Sequence, residues 1–352
     1  MYSTEDDKRP FATDIAHGPE LQAYQSGAVS SFLGRLPEPC SDILEIGSDI
    51  ECRVVSYLAE QTRASVVGIN PASGFAASRS CLSNRLAAPH LVRGDGRYLP
   101  FAAESFDAIL SIATLEHVHG VSEFLGDVAR VLRPGGVFHT SFGPIWTCNV
   151  GHHVYAVVGN KEARFWKPGR NPLPDFAHLL MEPDEVRAHL RDGPCSEELI
   201  EPIIHWVYFG DGINRLAFSD YMRAFRTCPL KIQELRALLS SAVPSEAELQ
   251  ELRRRHGPNE DFRCSRFVVT LHKPVPPGTG SILSRRRVHM TKTRGPWYGA
   301  LSRRLNGILL FRLATKMVSP RAWVKILRLA KKTMSGSAWT HVLYRLEDYL
   351  TK

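Results

Sequence analysis

Between Asp42 and Ser141 short apolar runs alternate with turn residues in the order that a parallel sheet imposes, and this pattern constrains the fold more than any other feature. The runs are Asp42-Ile-Leu-Glu-Ile-Gly47, Val66-Val-Gly-Ile-Asn70, Gly94-Asp95 ahead of Leu99-Pro-Phe101, and Ser105-Phe-Asp-Ala-Ile-Leu-Ser111 leading into Leu115-Glu-His117. Val131-Leu-Arg-Pro-Gly-Gly136 then stops a helix and opens a further strand, Val137 to Ser141. Each run ends in Gly, Asp, Asn or Ser, which is how parallel strands deliver polar groups to the carboxyl edge of a sheet, where open α/β folds bind ligands. The expected class is therefore α/β, a doubly wound, mostly parallel sheet.

As an ordered set these motifs resemble the class I S-adenosylmethionine-dependent methyltransferases, in particular the small-molecule group with a late Leu-Arg-Pro-Gly-Gly signature. The resemblance implies a seven-stranded Rossmann-like sheet and S-adenosylmethionine as cofactor. It places Glu45 near the cofactor's amino-acid end and Gly47 where the backbone approaches the ligand. It sets Asn70 at the ribose hydroxyls, Asp95 at the adenine amino group and Ser111 at the fourth strand end. Two positions depart from the pattern. Ser48-Asp-Ile-Glu-Cys52 follows Gly47 where further glycines are common, and Asn70 offers a neutral amide in place of an acid, without a charge-assisted bond. Each residue also has a plainer reading: Glu45 as a helix-capping acid, Asp95 as a turn residue, Glu116-His117 as a helix start. A nicotinamide enzyme is the competing reading, but Gly47-Ser-Asp-Ile-Glu-Cys52 lacks the Gly-x-Gly-x-x-Gly turn.

Along the chain, a helix is expected over Glu20 to Leu36, carrying Leu21, Tyr24, Val29, Phe32 and Leu33 on its apolar side. Residues 1–273 read as the methyltransferase domain, with an irregular, loop-rich acceptor insert over about 142–202 that is dense in Gly, Pro, His and aromatics. After it come a strand over Glu201 to Phe209, a helix near Asn214 to Phe225, a charged helix between Ser245 and His256, and a β-branched strand at Arg266 to Leu271. The resemblance implies that Ile203 to Tyr208 and Phe267 to Leu271 form the antiparallel closing pair of the sheet. Leaving the fifth strand, Phe142-Gly-Pro-Ile-Trp-Thr-Cys-Asn-Val-Gly-His-His-Val-Tyr155 should overhang the transferred methyl. His152 or His153 is the expected general base, with His117 and Glu116 as further candidates and Asp175 to His178 as part of the acceptor wall. A metal held by His152, His153 and Cys148 is the minority reading, because no carboxylate pattern supports it, and no metal is expected. Trp146, Tyr155, Phe165 and Trp166 suit stacking on an acceptor, and Arg164, Lys167 and Arg170 suit an anionic group.

The seven cysteines are scattered without a C-x-x-C pair, so neither a disulfide framework nor a zinc knuckle is expected and the default compartment is the reducing cytoplasm. Met1-Tyr-Ser-Thr-Glu-Asp-Asp shows no signal-peptide pattern. Beyond a linker at 274–283, residues 284–352 carry sixteen Lys and Arg against two acids. This is +14 in a chain of +8 overall, which leaves the first 283 residues at −6. Three tryptophan-led apolar stripes there predict a basic, amphipathic helical extension that lies on an anionic membrane surface, packs on the domain or binds nucleic acid. No run approaches the ~20 apolar residues a membrane span needs. Three functions follow: O-methylation of a saccharide or lipid-linked small-molecule acceptor, a methyltransferase-like scaffold without activity, or a nucleic-acid methyltransferase. Ser111-Ile-Ala-Thr114 stands where a base-methylating enzyme would carry an Asn/Asp-Pro-Pro-aromatic motif, which disfavours the last.

Overall fold

A computed structural model describes residues 21–72, 75 and 89–277. Seven strands form one sheet: β1 (Asp42–Ile46), β2 (Ser65–Asn70), β3 (His90–Arg93), β4 (Phe106–Ile112), β5 (Leu132–Phe142), β8 (Lys231–Leu239) and β9 (Cys264–His272). Their order is β3-β2-β1-β4-β5-β9-β8. The first five pair in parallel, and β9 runs antiparallel to both β5 and β8. This is the doubly wound, mostly parallel seven-stranded sheet expected from the motifs. The chain reverses direction across the sheet at β1, where β2 lies to one side and β4 to the other. That switch point opens the crevice in which such folds bind ligands.

The strands are apolar on both sides because helices cover both faces. Alternation along β1 sends Ile43 to one core, with Val66, Ala108, Leu110 and Phe32, and sends Leu44 and Ile46 to the other, with Ile109, Phe124, Phe138 and Phe267. Helices α1 (Ala23–Leu33) and α2 (Arg53–Gln61) fill the first core. Helices α3 (Val121–Val131) and α7 (Phe218–Thr227) fill the second. Phe124 and Phe138 are fully buried there, and truncating either to alanine should cost about 3–5 kcal/mol. The Leu-Arg-Pro-Gly-Gly segment opens β5 directly after α3. A Cβ at Gly136 would lie 2.7 Å from the Asp107 carbonyl oxygen, so only glycine lets this strand close on β4. Lys273 N–H donates to the Gly136 carbonyl at 3.0 Å, tying the same segment to the end of β9.

Two expectations are corrected. Residues 201–209 are not a strand: they belong to α6 (Glu197–Ile204) and a π-helical turn (His205–Phe209). Leu199, Ile200, Ile203, Ile204 and Val207 recur at helical spacing and are all buried, so the period is 3.6 despite the β-branched composition. The true partner of β9 is β8, whose Lys-Ile-Gln-Glu-Leu-Arg-Ala-Leu-Leu sequence favours a helix by propensity and is overridden by pairing at the sheet edge. The insert is also more ordered than its composition implies. A hairpin of β6 (Tyr155–Val158) and β7 (Lys161–Arg164) packs with α5 (Pro183–Asp192) and α6 around Val154, Leu173, Val186, Leu190 and Ile203. The short α4 (Ala177–Leu180) joins α8 (Glu246–His256) through Phe176, Leu179, Leu252 and Phe262. Ser245 caps α8, with its Oγ accepting from Glu248 N–H.

Candidate active site

A cavity of about 220 Å³ opens at the carboxyl edge of the parallel strands. Ile46 and Gly47 from the β1 end, Ile69 and Pro71 from the β2 end, Gly94 to Arg97 after β3, and Thr114 with His117 to His119 after β4 line it. Gly47 sits at φ +86°, and a Cβ there would lie 2.0 Å from Thr114 Oγ1. The left-handed turn and the contact with the β4 loop both require glycine. The N–H groups of Gly47 and Ser48 both donate to the Ile69 carbonyl, at 2.9 and 3.2 Å, so this turn is pinned to β2.

The other residues expected around a cofactor divide into those at the cavity and those behind it. Asp95 lines the cavity, and its carboxylate is held below its ordinary value chiefly by hydrogen bonds from Arg97, whose guanidinium lies 2.6 Å from Oδ2. Glu45 is buried behind the turn and accepts a 2.6 Å hydrogen bond from Ser48 Oγ. Burial pushes its carboxyl up to about 8, with the Ser48 bond opposing and nearby Asp49 adding to the rise. Asn70 has its amide engaged: Nδ2 donates to the Ser48 carbonyl and Oδ1 accepts from Ala72 N–H, both at 2.7 Å. It therefore holds the β1 loop, a role the substitution of an acid by an amide did not suggest. Ser111 is fully buried and donates to the Ile46 carbonyl at 3.0 Å, beneath the cavity rather than on its wall.

The three candidate base histidines occupy different environments. His117 is exposed and lines the cavity, and its Nδ1 lies 2.6 Å from the Gly212 carbonyl. A carbonyl only accepts, so Nδ1 carries the proton and Nε2 keeps a lone pair. His153 is buried with Nδ1 2.9 Å from the Gly151 carbonyl, which again leaves the lone pair on Nε2, an atom with no hydrogen-bond partner among the described residues. Burial, reinforced by His117, pushes the His153 imidazole down to about 3. His152 is different. Its Nδ1 accepts from Val154 N–H at 3.0 Å, so the neutral ring has its lone pair engaged and its proton on Nε2. Burial holds it well below the ordinary histidine value, and in this tautomer it has no free nitrogen for an acceptor proton. His178, expected on the acceptor wall, is buried with Nε2 2.7 Å from the Trp146 carbonyl, and Asp175 accepts from Asn149 Nδ2 at 2.7 Å. Both hold the insert together.

Beside His117 and His153 lies Glu116, buried in the short turn Leu115–His117. Its Oε1 accepts from Gly143 N–H at 3.0 Å, while Oε2 has no partner among the described residues, and burial raises its carboxyl above the ordinary value. One ligand-type atom from each of Glu116, His117 and His153 falls within 4.8 Å of the others. The loop after the π-helical turn fixes this corner. Asn214 Nδ2 donates to the Leu115 and Val118 carbonyls, at 2.6 and 3.0 Å. Sequence reading reached each of the three residues but had no signal for their meeting, because His153 arrives through the folded insert. Next to His153, Phe165 leads to the stacked pair Tyr155 and Trp166, with Arg164 over both rings at 4.6 and 5.3 Å. Glu162 engages Arg164 and Lys167 and lies 3.9 Å from Arg170, so these cations already share one carboxylate.

Residues 44–140 match the family described as "Methyltransferase domain". The chain is 31% identical over 141 residues to a fatty-acid O-methyltransferase of Mycolicibacterium smegmatis, covering 39% of this chain and 49% of that protein. It is 27% identical over 135 residues to a sterol 24-C-methyltransferase of Schizosaccharomyces pombe, covering 36% and 32%. A third relative, a ubiquinone biosynthesis O-methyltransferase of Paramagnetospirillum magneticum, is 38% identical over 90 residues, covering 25% and 33%. The chain thus spans about half the length of the first of these and about a third of the other two. Among solved structures, an S-adenosylmethionine-dependent methyltransferase from Mesorhizobium loti aligns at TM-score 0.43 and 17% identity, over 70% of this chain and 99% of that one. With its strand order, its Gly47 turn and its family match together, the segment 44–140 is a methyltransferase domain of the class I, S-adenosylmethionine-dependent kind.

Proposed function

We propose that this chain transfers a methyl group from S-adenosylmethionine to a hydroxyl of a small-molecule acceptor, a saccharide or a lipid-linked compound. The observation that carries the reading is the cavity that Gly47, Asp95 and His117 line together at the switch point of the sheet. The residues fit the cofactor: Gly47 allows the tight left-handed turn that edges the cavity, and Glu45 is a buried carboxyl that a neighbouring cation would stabilise in its charged form. In this arrangement Glu45 faces the cofactor's amino-acid end through the Gly47 turn, Asn70 shapes that turn, and Asp95 takes the adenine amino group. Ser111 supports the floor from below.

The cofactor supplies an activated sulfonium methyl, so the protein's own work is alignment and proton removal. The insert supplies the acceptor side, with Phe165, Tyr155 and Trp166 as the stacking surface reached through His153. Removal of the hydroxyl proton is given to Glu116, His117 and His153 as a group, of which His117 lines the cavity. A lipid-linked acceptor draws support from the fatty-acid and sterol acceptors in the names of two relatives, and from the basic extension at 284–352, which lies outside the described residues. Association with an anionic membrane would bring that acceptor to the site. Calorimetric titration of the full chain with S-adenosylmethionine and S-adenosylhomocysteine tests the reading. Saturable 1:1 binding lost in Gly47→Val supports it, and no binding of either ligand would leave the inactive scaffold.

A further inference from the structure

We infer that Glu116, His117 and His153 form a binding site for a divalent first-row transition metal, open towards the cavity. The inference rests on the geometry of these side chains and stands apart from the methyl-transfer reading. Two histidines and one carboxylate bring one ligand-type atom each to within 4.8 Å of one another. Hydrogen bonding decides which atoms are free. The Nδ1–H groups of His117 and His153 donate to the carbonyls of Gly212 and Gly151, which turns both Nε2 lone pairs away from those carbonyls. Glu116 anchors Oε1 on Gly143 N–H and leaves Oε2 without a partner among the described residues. All three therefore carry the outer hydrogen bond that metal ligands typically have, a backbone group fixing the tautomer or rotamer behind the ligating atom.

The free atoms are costly unless something meets them. Glu116 Oε2 and His153 Nε2 are both buried and have no partner among the described residues, and a buried acceptor left unsatisfied is destabilising. A metal would satisfy both at once. In a four-coordinate site with bonds of about 2.0–2.1 Å, ligand atoms lie roughly 3.3 Å apart, so the group needs to contract by at most about 1.5 Å. Exposed His117 lies on the cavity side and buried Glu116 and His153 lie behind it, so the fourth position faces the cavity. Nitrogen donors beside a single carboxylate favour Zn²⁺, Fe²⁺ or Co²⁺ over Mg²⁺, which prefers oxygen ligands and water. With a metal in place all three free atoms are ligands and none is a free base, so proton removal by Glu116, His117 and His153 belongs to the metal-free chain.

The test is a titration of the full-length, tag-free, chelator-treated chain with Co²⁺, read by its visible absorption and repeated without any nucleoside. One equivalent should bind, with no near-ultraviolet thiolate band, should be displaced by Zn²⁺ and should ignore excess Mg²⁺. His153→Ala and Glu116→Gln should each weaken binding at least about tenfold. Because those two residues are buried, His117→Ala provides a variant at an exposed position and should do the same. Co²⁺ binding that is absent in the wild-type chain, that survives all three substitutions, or that shows a thiolate band overturns the site. S-adenosylhomocysteine affinity, measured separately, reports on the methyl-transfer reading whichever way the metal titration falls.

Discussion

Glu45 should hold a proton in the free protein and release it when the cationic cofactor binds. Its carboxyl is 3% exposed, has one short hydrogen bond from Ser48, and is pushed up from 4.5 to about 8 chiefly by burial. At pH 7 about nine in ten copies are then protonated, and the ionised form favoured by an adjacent sulfonium and ammonium costs about 1.4 kcal/mol to reach. Binding at pH 7 should therefore release close to one proton from this group, and affinity should rise roughly tenfold from pH 6 to pH 7, then level off above pH 8. Calorimetry in buffers of different ionisation enthalpy counts the protons. The ligand's own α-ammonium titrates in the same range, so Glu45→Gln supplies the subtraction: the ligand's share persists in the variant and the carboxyl's share disappears. The free protein has a matching signature. A group raised from 4.5 to about 8 contributes stability that is fully present below pH 4.5 and is lost as pH climbs to about 8, by several kcal/mol. Glu45→Gln should flatten that part of the stability profile. Equal proton release and equal pH dependence in wild type and variant would refute the placement of Glu45 beside the ligand.

Gly47→Ala should lower stability by roughly 1–2 kcal/mol from its positive φ alone, and by more from displacing Thr114, whose Oγ1 donates to the Ile112 carbonyl at 2.9 Å. Denaturant titration of Gly47→Ala with and without Thr114→Ala separates the two costs, since the second substitution removes the closest clash but leaves the strain. Asn70→Asp, which reading from sequence would expect to strengthen a diol contact, should instead destabilise the β1 loop by about 1–3 kcal/mol, because the carboxylate has no donor for the Ser48 carbonyl. A lowered midpoint with weaker S-adenosylmethionine binding is the expected result, and tighter binding would restore the diol role. The basic extension should carry the full chain onto liposomes containing acidic lipid and release it in high salt. Truncation after Pro277 should abolish that sedimentation while leaving cofactor affinity intact, and retained sedimentation would place the membrane contact elsewhere.

The half-sheet was legible because Ile43 to Ile46, Val66 to Asn70 and Phe106 to Ser111 are mostly buried, so apart from Glu45, Asp107 and the turn residue Asn70 their positions are apolar or small. The closing pair was not. Lys231 to Leu239 lies at an open edge and is largely exposed, so little in its side chains distinguishes it from a solvated helix. Its strand character comes from β9 alone, a long-range hydrogen-bonding partner that no local pattern announces. Ile203 to Tyr208 erred the other way: β-branched and aromatic residues packed around a helix produce the composition of a strand.

For the site, the sequence carried residue types and strand ends but not the use of each lone pair. Glu45, Gly47, Asp95 and His117 lie near the switch point because their strands end there. Whether a histidine can act depends on which nitrogen its backbone surroundings have already engaged. His152 and His153 are adjacent in sequence and both buried, yet Val154 N–H takes the lone pair of one, while the Gly151 carbonyl takes the proton of the other and leaves its Nε2 free. His153 itself sits at φ +48°, a left-handed conformation uncommon for a non-glycine residue. It lies at the corner held by Glu116 and His117, with the two histidine rings 5.4 Å apart. His153→Gly fits the same positive φ more readily and removes the ring, so it should keep the turn while emptying the corner beside Glu116 and His117.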